Sequence, residues 1–128
     1  AKRAQPLSLD IFALITDGKK FEVLILEVKL VSAAGLSEWS QLIGYCLVSG
    51  ARYGLLVNID GGGSPRLVQM LSTEPHISHI RTLVKDELKE HYLGFMQWDS
   101  LTKDFEYSNL GAVKSLSELS VRIAKEFE

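Results

Sequence analysis

Two charged residues, Glu27 and Lys29, lie within the most apolar stretch of the chain, residues 21–30. Val, Ile, Leu and Phe dominate this stretch and no Gly or Pro interrupts it, which predicts a strand. Because side chains alternate along a strand, the two charges share one face with apolar neighbours such as Ile25. A buried charge costs several kcal/mol unless it is paired or binds a metal. These two residues are therefore the first candidates for chemistry.

Asp10 joins this pair if the chain forms a hairpin at Asp17-Gly18, the strongest short hairpin signal in the sequence. A two-residue turn places Asp10 diagonally beside Glu27, and a four-residue loop over residues 17–20 places the two acids directly opposite each other. Both loops keep them on one face, whereas a three-residue loop separates them. Two close carboxylates repel each other unless a cation lies between them. Such oxygen ligands suit Mg²⁺ or Mn²⁺, beside which Lys29 could activate a water and offset charge on a phosphate.

A solvated ion pair is the alternative interpretation of the Glu27-x-Lys29 pattern. Exposed pairs of this kind are common and contribute little to stability. A solvated face would not also carry Phe21 and Val23, however, and Asp10 falls on the same face by strand parity. The interpretation as a functional site is therefore favoured.

The pattern along the rest of the chain predicts the elements that hold these residues. Apolar residues on both faces predict that strand 8–16 is central in a sheet. Ser37 is predicted to cap a helix that ends before Gly50 and buries a stripe containing Trp39 and Cys46. The other predicted elements are strands 21–31 and 53–59, a turn at 61–65, an edge strand at 66–71, a helix at 76–92, a hairpin of 95–98 with 104–107, and a helix from about 115. This order predicts an α/β fold, with a mixed central sheet flanked by helices.

Composition limits the class of protein. The chain has 128 residues, of which 46% are hydrophobic and 23% charged, as in one globular domain. Its single cysteine excludes a disulfide framework and a cysteine-based zinc site. Together with the lack of a long apolar run, it predicts a cytoplasmic protein with no membrane contact. The formal net charge of -2 does not decide nucleic-acid binding, which depends on local basic patches.

Asp10, the hairpin and Glu27-Val28-Lys29 resemble the Asp…(Asp/Glu)-x-Lys signature of the PD-(D/E)XK nuclease superfamily. The following helix adds a second match, because Gln41-Leu42-Ile43-Gly44-Tyr45 is similar to the Gln-apolar-x-x-Tyr motif of its RecB-like branch. The Gln and the Tyr of that motif are four residues apart and so share one side of a helix. The resemblance covers residues 7–60 and implies a restriction-endonuclease-like core.

The resemblance implies an enzyme that hydrolyses phosphodiester bonds in DNA and requires Mg²⁺ or Mn²⁺. Asp10 and Glu27 would bind the metal, with the backbone carbonyl of Val28 as a further ligand. Lys29 would orient the attacking water and stabilise developing charge.

The resemblance also implies roles for residues around the metal ligands. Gln41 would contact the nucleic-acid backbone or support Lys29, and Tyr45 would contact the strand or the substrate. Basic residues near the site in sequence are expected to contact phosphates, namely Arg52, Arg66, Lys2, Arg3, Lys19 and Lys20.

Two other functions stay open at this point. The first is a catalytically silent nuclease-like domain that binds nucleic acid or serves complex assembly. The second is a small ligand-binding or regulatory domain in which Glu27 and Lys29 form only an ion pair. Members of the superfamily often work as homodimers or as parts of larger assemblies. Residue 1 is Ala, which fits a single domain cut from a longer protein.

Other chemistry-bearing residues are expected to be structural or solvated. His76, His79 and His91 lack the spacing of a zinc enzyme and are expected at solvated helix ends. Cys46 is expected to be an inert core thiol. The glycine-rich segment 61–64 lacks the Gly-Lys-Ser/Thr of a phosphate loop, so a flexible turn, or a loop over a nucleic-acid groove, is expected there.

Overall fold

Nine strands and three helices make up the described part of the chain, residues 7–106 and 110–128 of a computed structural model. They are β1 (Leu7–Thr16), β2 (Phe21–Leu30), β3 (Ala33–Ala34), α1 (Leu36–Ser49), β4 (Tyr53–Ile59), β5 (Gly62–Gly63), α2 (Pro65–Thr73), β6 (His79–Val84), β7 (Glu87–Asp99), β8 (Asp104–Phe105), β9 (Leu110–Gly111) and α3 (Leu116–Glu126). A short 3-10 helix, Pro75–Ile77, precedes β6. Within these ranges, no helix is long and apolar enough to cross a membrane.

Seven of these strands form one mixed sheet, which confirms the predicted α/β fold. The order is β1-β2-β4-β7-β6, with β8 and β9 paired to β7. Strands β2, β4 and β7 are parallel, whereas β1 and β6 run antiparallel to their neighbours. Helix α1 supplies the crossover that the parallel pair β2 and β4 requires.

Helices cover both faces of the sheet, because the strands carry apolar residues on both sides. On one face, α1 and α2 bury Trp39 and Leu67 against Leu56 of β4. On the other face, α3 buries Leu119 and Ile123 against the sheet. The two cores leave much of β1 exposed to solvent.

The β1–β2 hairpin has the four-residue loop, which is one of the two even-length alternatives. Thr16 pairs with Phe21, and Asp10 pairs directly with Glu27. The Asp17 carboxylate closes the loop by accepting hydrogen bonds from the backbone N–H groups of residues 19 and 20, at 2.9 and 2.8 Å. Gly18 has φ +94°, a value that suits glycine. The prediction that the two acids share a face is confirmed.

Strand β1 lies at the edge of the sheet, so the prediction of a central strand is wrong. Most of the apolar residues on its two faces are exposed, as Leu9 at 53% and Leu14 at 66% show, whereas Ala13 and Ile15 are half-buried against the core on the α3 side. An apolar pattern on both faces normally indicates burial. Here it leaves an apolar surface at the sheet edge.

A glycine lies at each end of α1. Gly35, and not the predicted Ser37, is the N-cap, because its carbonyl accepts the first helical hydrogen bond, from the Trp39 N–H at 3.1 Å. The Gly35 N–H donates to the Glu38 carboxylate at 3.2 Å. Gly50 ends the helix with φ +78°, as predicted. The predictions for β4 and α3 are also confirmed, and Ser115 caps α3 by accepting from the Glu118 N–H.

The middle of the chain differs from the prediction. Residues 66–71 lie in α2, because Ser64 accepts from the Leu67 N–H and Pro65 occupies the first turn. The predicted helix 76–92 is instead the β6–β7 hairpin. Its turn residues Lys85 and Asp86 have φ +51° and +65°, as in a type I′ turn without glycine. The predicted hairpin of 95–98 with 104–107 is present as Trp98 paired with Phe105, and residue 107 lies outside the described residues.

Asn58 holds together the strand ends beside the candidate site. Its side chain is fully buried and lies next to Lys29 in the β2–β4 register. The amide donates to the carbonyls of Val31 and Gly62, both at 3.0 Å, and accepts from the Val31 N–H at 3.2 Å. These bonds join the end of β2 to the start of β5, so the glycine-rich segment is an ordered connection.

Replacing Asn58 with alanine should lower the free energy of unfolding by about 2–4 kcal/mol, because buried backbone groups lose their partners. Urea denaturation measures this change. Ser72→Ala removes an exposed hydrogen bond to the Val68 carbonyl and is the control, with an expected change below about 0.5 kcal/mol. An equal, small change in both variants would show that Asn58 does not hold these strand ends.

Candidate active site

Glu27 is a fully buried carboxylate in the middle of β2. Lys29 Nζ lies 3.2 Å from Glu27 Oε1, close enough for an ion pair. Lys29 is the ion-pair partner of Oε1, and neither oxygen of the Glu27 carboxylate makes a hydrogen bond of good geometry within the described residues. A buried polar atom without a partner is rare in folded proteins, so these two oxygens are candidates for ligand binding.

The pKa of Glu27 is raised above its ordinary value of 4.5, chiefly because burial disfavours the charged form. The Lys29 ammonium opposes this shift, and the carboxylates of Asp10 and Glu38 add to it. Because the pKa is raised overall, the attraction of the Lys29 ammonium does not offset the cost of burying the Glu27 charge.

Lys29 is held in place by two further contacts. Its ammonium donates to Ser8 Oγ at 2.6 Å and to Gln41 Oε1 at 3.3 Å, and the side chain is 11% exposed. Ser8 lies opposite Lys29 in the β1–β2 register, and Gln41 reaches it from α1. The ammonium group therefore has a defined position beside Glu27.

Asp10 is the member of the group that faces solvent. It lies opposite Glu27 on the edge strand and is exposed, so one acid of the pair is buried and the other faces solvent. Val28, between Glu27 and Lys29, directs its side chain to the opposite face by strand alternation. Only its backbone can take part in this group.

Tyr45, Arg52 and Arg66 are the other predicted site residues, and they lie in different parts of the fold. Tyr45 follows Gln41 by one turn of α1 and is 38% exposed. Arg52 lies before β4, about 13 Å along the strand from the level of Glu27, and its guanidinium is 2.8 Å from the Glu126 carboxylate. Arg66 is exposed in the first turn of α2. The structure therefore separates Arg52 from the group around Lys29.

Two residues at the site were not predicted from the sequence. Ser8 binds the Lys29 ammonium, and the only signal for it was its place two residues before Asp10 on the same face. Glu38 is close enough to raise the pKa of Glu27, while its own pKa is lowered, chiefly by a hydrogen bond from Ser37. Its position three residues after Gly35 is typical of a helix start, so the pattern indicates a capping role for Glu38 and gives no sign that it lies near the site.

The donors for a metal ion are few. The described residues contain no group of three or more His, Cys, Asp and Glu side chains that could hold a metal. Asp10 and Glu27 are two carboxylates on one face, and Mg²⁺ usually takes one or two protein carboxylates and keeps several waters. The two Glu27 oxygens make no hydrogen bond within the described residues and fit such an ion, so the residues are compatible with Mg²⁺ or Mn²⁺ bound partly through water.

Within the described residues, the histidines belong to no group of three metal-binding side chains. His91 is buried, with Nδ1 2.7 Å from the carbonyl oxygen of Ala51, so the prediction that it is solvated is wrong. His79 stacks on Tyr92. Both histidines lie in the β6–β7 hairpin rather than at helix ends.

Comparison of the chain with models of known protein families, with curated proteins and with solved structures finds no match.

Replacing Glu27 with glutamine should stabilise the protein at neutral pH by about 1–3 kcal/mol, because it removes a buried charge whose desolvation Lys29 offsets only in part. With a raised folded-state pKa, the contribution of Glu27 to stability is complete below pH 4.5 and is lost as pH rises through that pKa. The gain in melting temperature should therefore be present at pH 8 and absent at pH 4.

Thermal unfolding at both pH values measures this difference. Glu87→Gln, at an exposed position of β7, is the matched control and should shift the melting temperature little at either pH. A Glu27→Gln variant that is less stable than the wild type at pH 8 would contradict this account of the buried carboxylate.

Proposed function

We propose that this protein is a metal-dependent nuclease that hydrolyses phosphodiester bonds in DNA, of the RecB-like branch of the PD-(D/E)XK type. One observation carries the proposal. A fully buried carboxylate, Glu27, has no hydrogen-bond partner among the described residues and lies between an opposing acid, Asp10, and a fixed ammonium group, Lys29. Burying this carboxylate disfavours the folded state, and a bound cation would offset that cost.

Asp10, Glu27 and the Val28 carbonyl would hold Mg²⁺ or Mn²⁺. When bound, such an ion lowers the pKa of a water and neutralises charge on phosphate oxygens. Burial of Glu27 strengthens its attraction for a cation, because the surroundings screen the charge weakly. The exposure of Asp10 leaves an open route for substrate at the sheet edge.

Lys29 supplies positive charge where negative charge develops during hydrolysis. Its hydrogen bonds to Ser8 and Gln41 hold the ammonium group in one position, so little reorganisation is needed when a phosphate arrives. The role of Gln41 is thus to position Lys29, one of the two roles that the resemblance allows. The same contacts keep the ammonium near Glu27 rather than in bulk water.

Phosphates on either side of the cleaved bond would contact exposed basic residues. Lys19 extends from the β1–β2 loop, and Arg66 lies in the first turn of α2. Both are exposed. Arg52 and Lys20 are not assigned to this role, because Arg52 pairs with Glu126 and Glu22, and the Lys20 ammonium donates to the Glu128 carbonyl at 3.3 Å.

A catalytically silent domain that binds nucleic acid is the second candidate. Two observations favour it: Glu27 and Lys29 lie at ion-pair distance from each other, and the described residues contain no group of three metal-binding side chains. In that case the charges would serve binding or assembly, and no bond would be cleaved.

Incubation with plasmid and single-stranded DNA in Mg²⁺, Mn²⁺ or EDTA distinguishes these functions. Cleavage should require the metal and should fall by at least about 100-fold in both Glu27→Ala and Lys29→Ala, because each removes a charge that acts in the transition state. Product formation on denaturing gels measures the rate.

Matched controls are Glu87→Ala and Lys125→Ala, which remove the same charge types at exposed positions elsewhere and should keep wild-type rates. Cleavage that survives both site variants would refute the nuclease site. DNA binding without cleavage in any metal would favour the silent domain.

A further inference from the structure

Among the described side chains of the β1–β2 hairpin, the three most exposed apolar ones lie on the face of the candidate site. Phe12, Leu14 and Phe21 are 62%, 66% and 68% exposed, and we call these three residues the apolar strip. Phe12 and Leu14 alternate with Ala13, so both lie on the Asp10 face, and Phe21 joins them opposite Thr16. The strip is therefore continuous with the site and lies on one surface.

The distances along the hairpin are short. Phe12 follows Asp10 by two residues, about 7 Å along the strand, and Leu14 follows Phe12 by the same distance. Phe21 is diagonal to Leu14, since Leu14 pairs with Val23, and diagonal neighbours lie about 7–8 Å apart. The strip thus extends directly from the acids towards the loop.

Basic residues lie at both ends of the strip. Lys29 and the proposed cation site are at one end, and the exposed Lys19 is in the loop at the other end. A polyanion that crosses the strip would meet positive charge before and after an apolar centre. This combination of aromatic side chains between cationic groups is the one that binds single-stranded nucleic acid.

The strip is small for a second copy of this chain. Two partly exposed phenylalanines and one leucine offer roughly 300–450 Å² if a fully buried aromatic contributes about 150–250 Å². A stable interface needs about 800 Å² from each partner. The area matches two or three bases better than a protein surface.

We propose that the apolar strip binds unpaired bases of a nucleic acid whose phosphates reach the candidate site. The inference rests on the proposed nuclease function and deepens it, since it names the substrate class: single strands, or duplexes with unpaired bases beside the cleaved bond. Phe12 stacks on the base nearest the reacting phosphate. Lys19 contacts the phosphates beyond Phe21.

Binding of fluorescein-labelled oligonucleotides, measured by anisotropy in EDTA so that no cleavage occurs, tests the proposal. Phe12→Ala should weaken binding of a 12-nucleotide single strand by about tenfold, as expected for the loss of one stacked base. Binding of a blunt duplex of the same sequence should change less than twofold. Leu101→Ala, which truncates an apolar side chain that is 93% exposed in another loop, should leave both affinities unchanged.

A second variant provides a direct signal. In Phe12→Trp, the indole fluorescence should be quenched by the single strand and not by the duplex. Circular dichroism of each variant should match the wild type, because Phe12 is an exposed residue. Equal loss of single-strand and duplex binding in Phe12→Ala, or no loss, would refute the strip as a base-binding surface.

Other outcomes separate this inference from the nuclease proposal. Phe12-dependent binding without metal-dependent cleavage would keep the strip and refute the enzyme, whereas cleavage that is unaffected by Phe12→Ala would keep the enzyme and refute the strip. If sedimentation showed a dimer that Phe12→Ala converts to a monomer, the occupant would be a second copy and the proposal would fail.

Discussion

The burial of one carboxylate constrains the rest of this structure. Glu27 lies on the face that α1 covers, against the β4 core, where an ionised group is disfavoured. The hairpin register places the compensating groups, because Asp10 and Ser8 reach the same face only when the loop has an even number of residues. Helix α1 then contributes Gln41 to Lys29. Strand parity and one crossover helix are sufficient to assemble the group.

The residues that were predicted from the sequence are those whose position depends on local geometry. Alternation along two paired strands determines that Asp10, Glu27 and Lys29 share a face, and helical spacing determines that Gln41 and Tyr45 do. Glu38 was missed because its proximity to the site depends on tertiary packing. Ser8 shares the Asp10 face by strand alternation, but the hydrogen bond that its hydroxyl accepts from Lys29 follows only once the register is known.

The misread segment between α2 and β7 shows a different limit. Ile80, Val84 and Leu88 have helical spacing, but residues 79–84 also fit a strand, and the turn at Lys85-Asp86 has no glycine to mark it. Periodicity cannot separate these alternatives when both fit. The error at β1 has a related cause. An apolar pattern shows that burial of a face would be favourable, but it does not show whether any element of the chain covers that face.

The environment of Cys46 has a practical consequence. The thiol is buried, and burial with the nearby Glu27 carboxylate raises its pKa to about 12, so it is protonated and shielded at neutral pH. It is the only cysteine of the chain. A cysteine introduced at the surface would therefore be the only thiol to react with a maleimide dye. Energy transfer from such a dye to a labelled oligonucleotide would report the polarity of a bound strand in an otherwise unaltered protein.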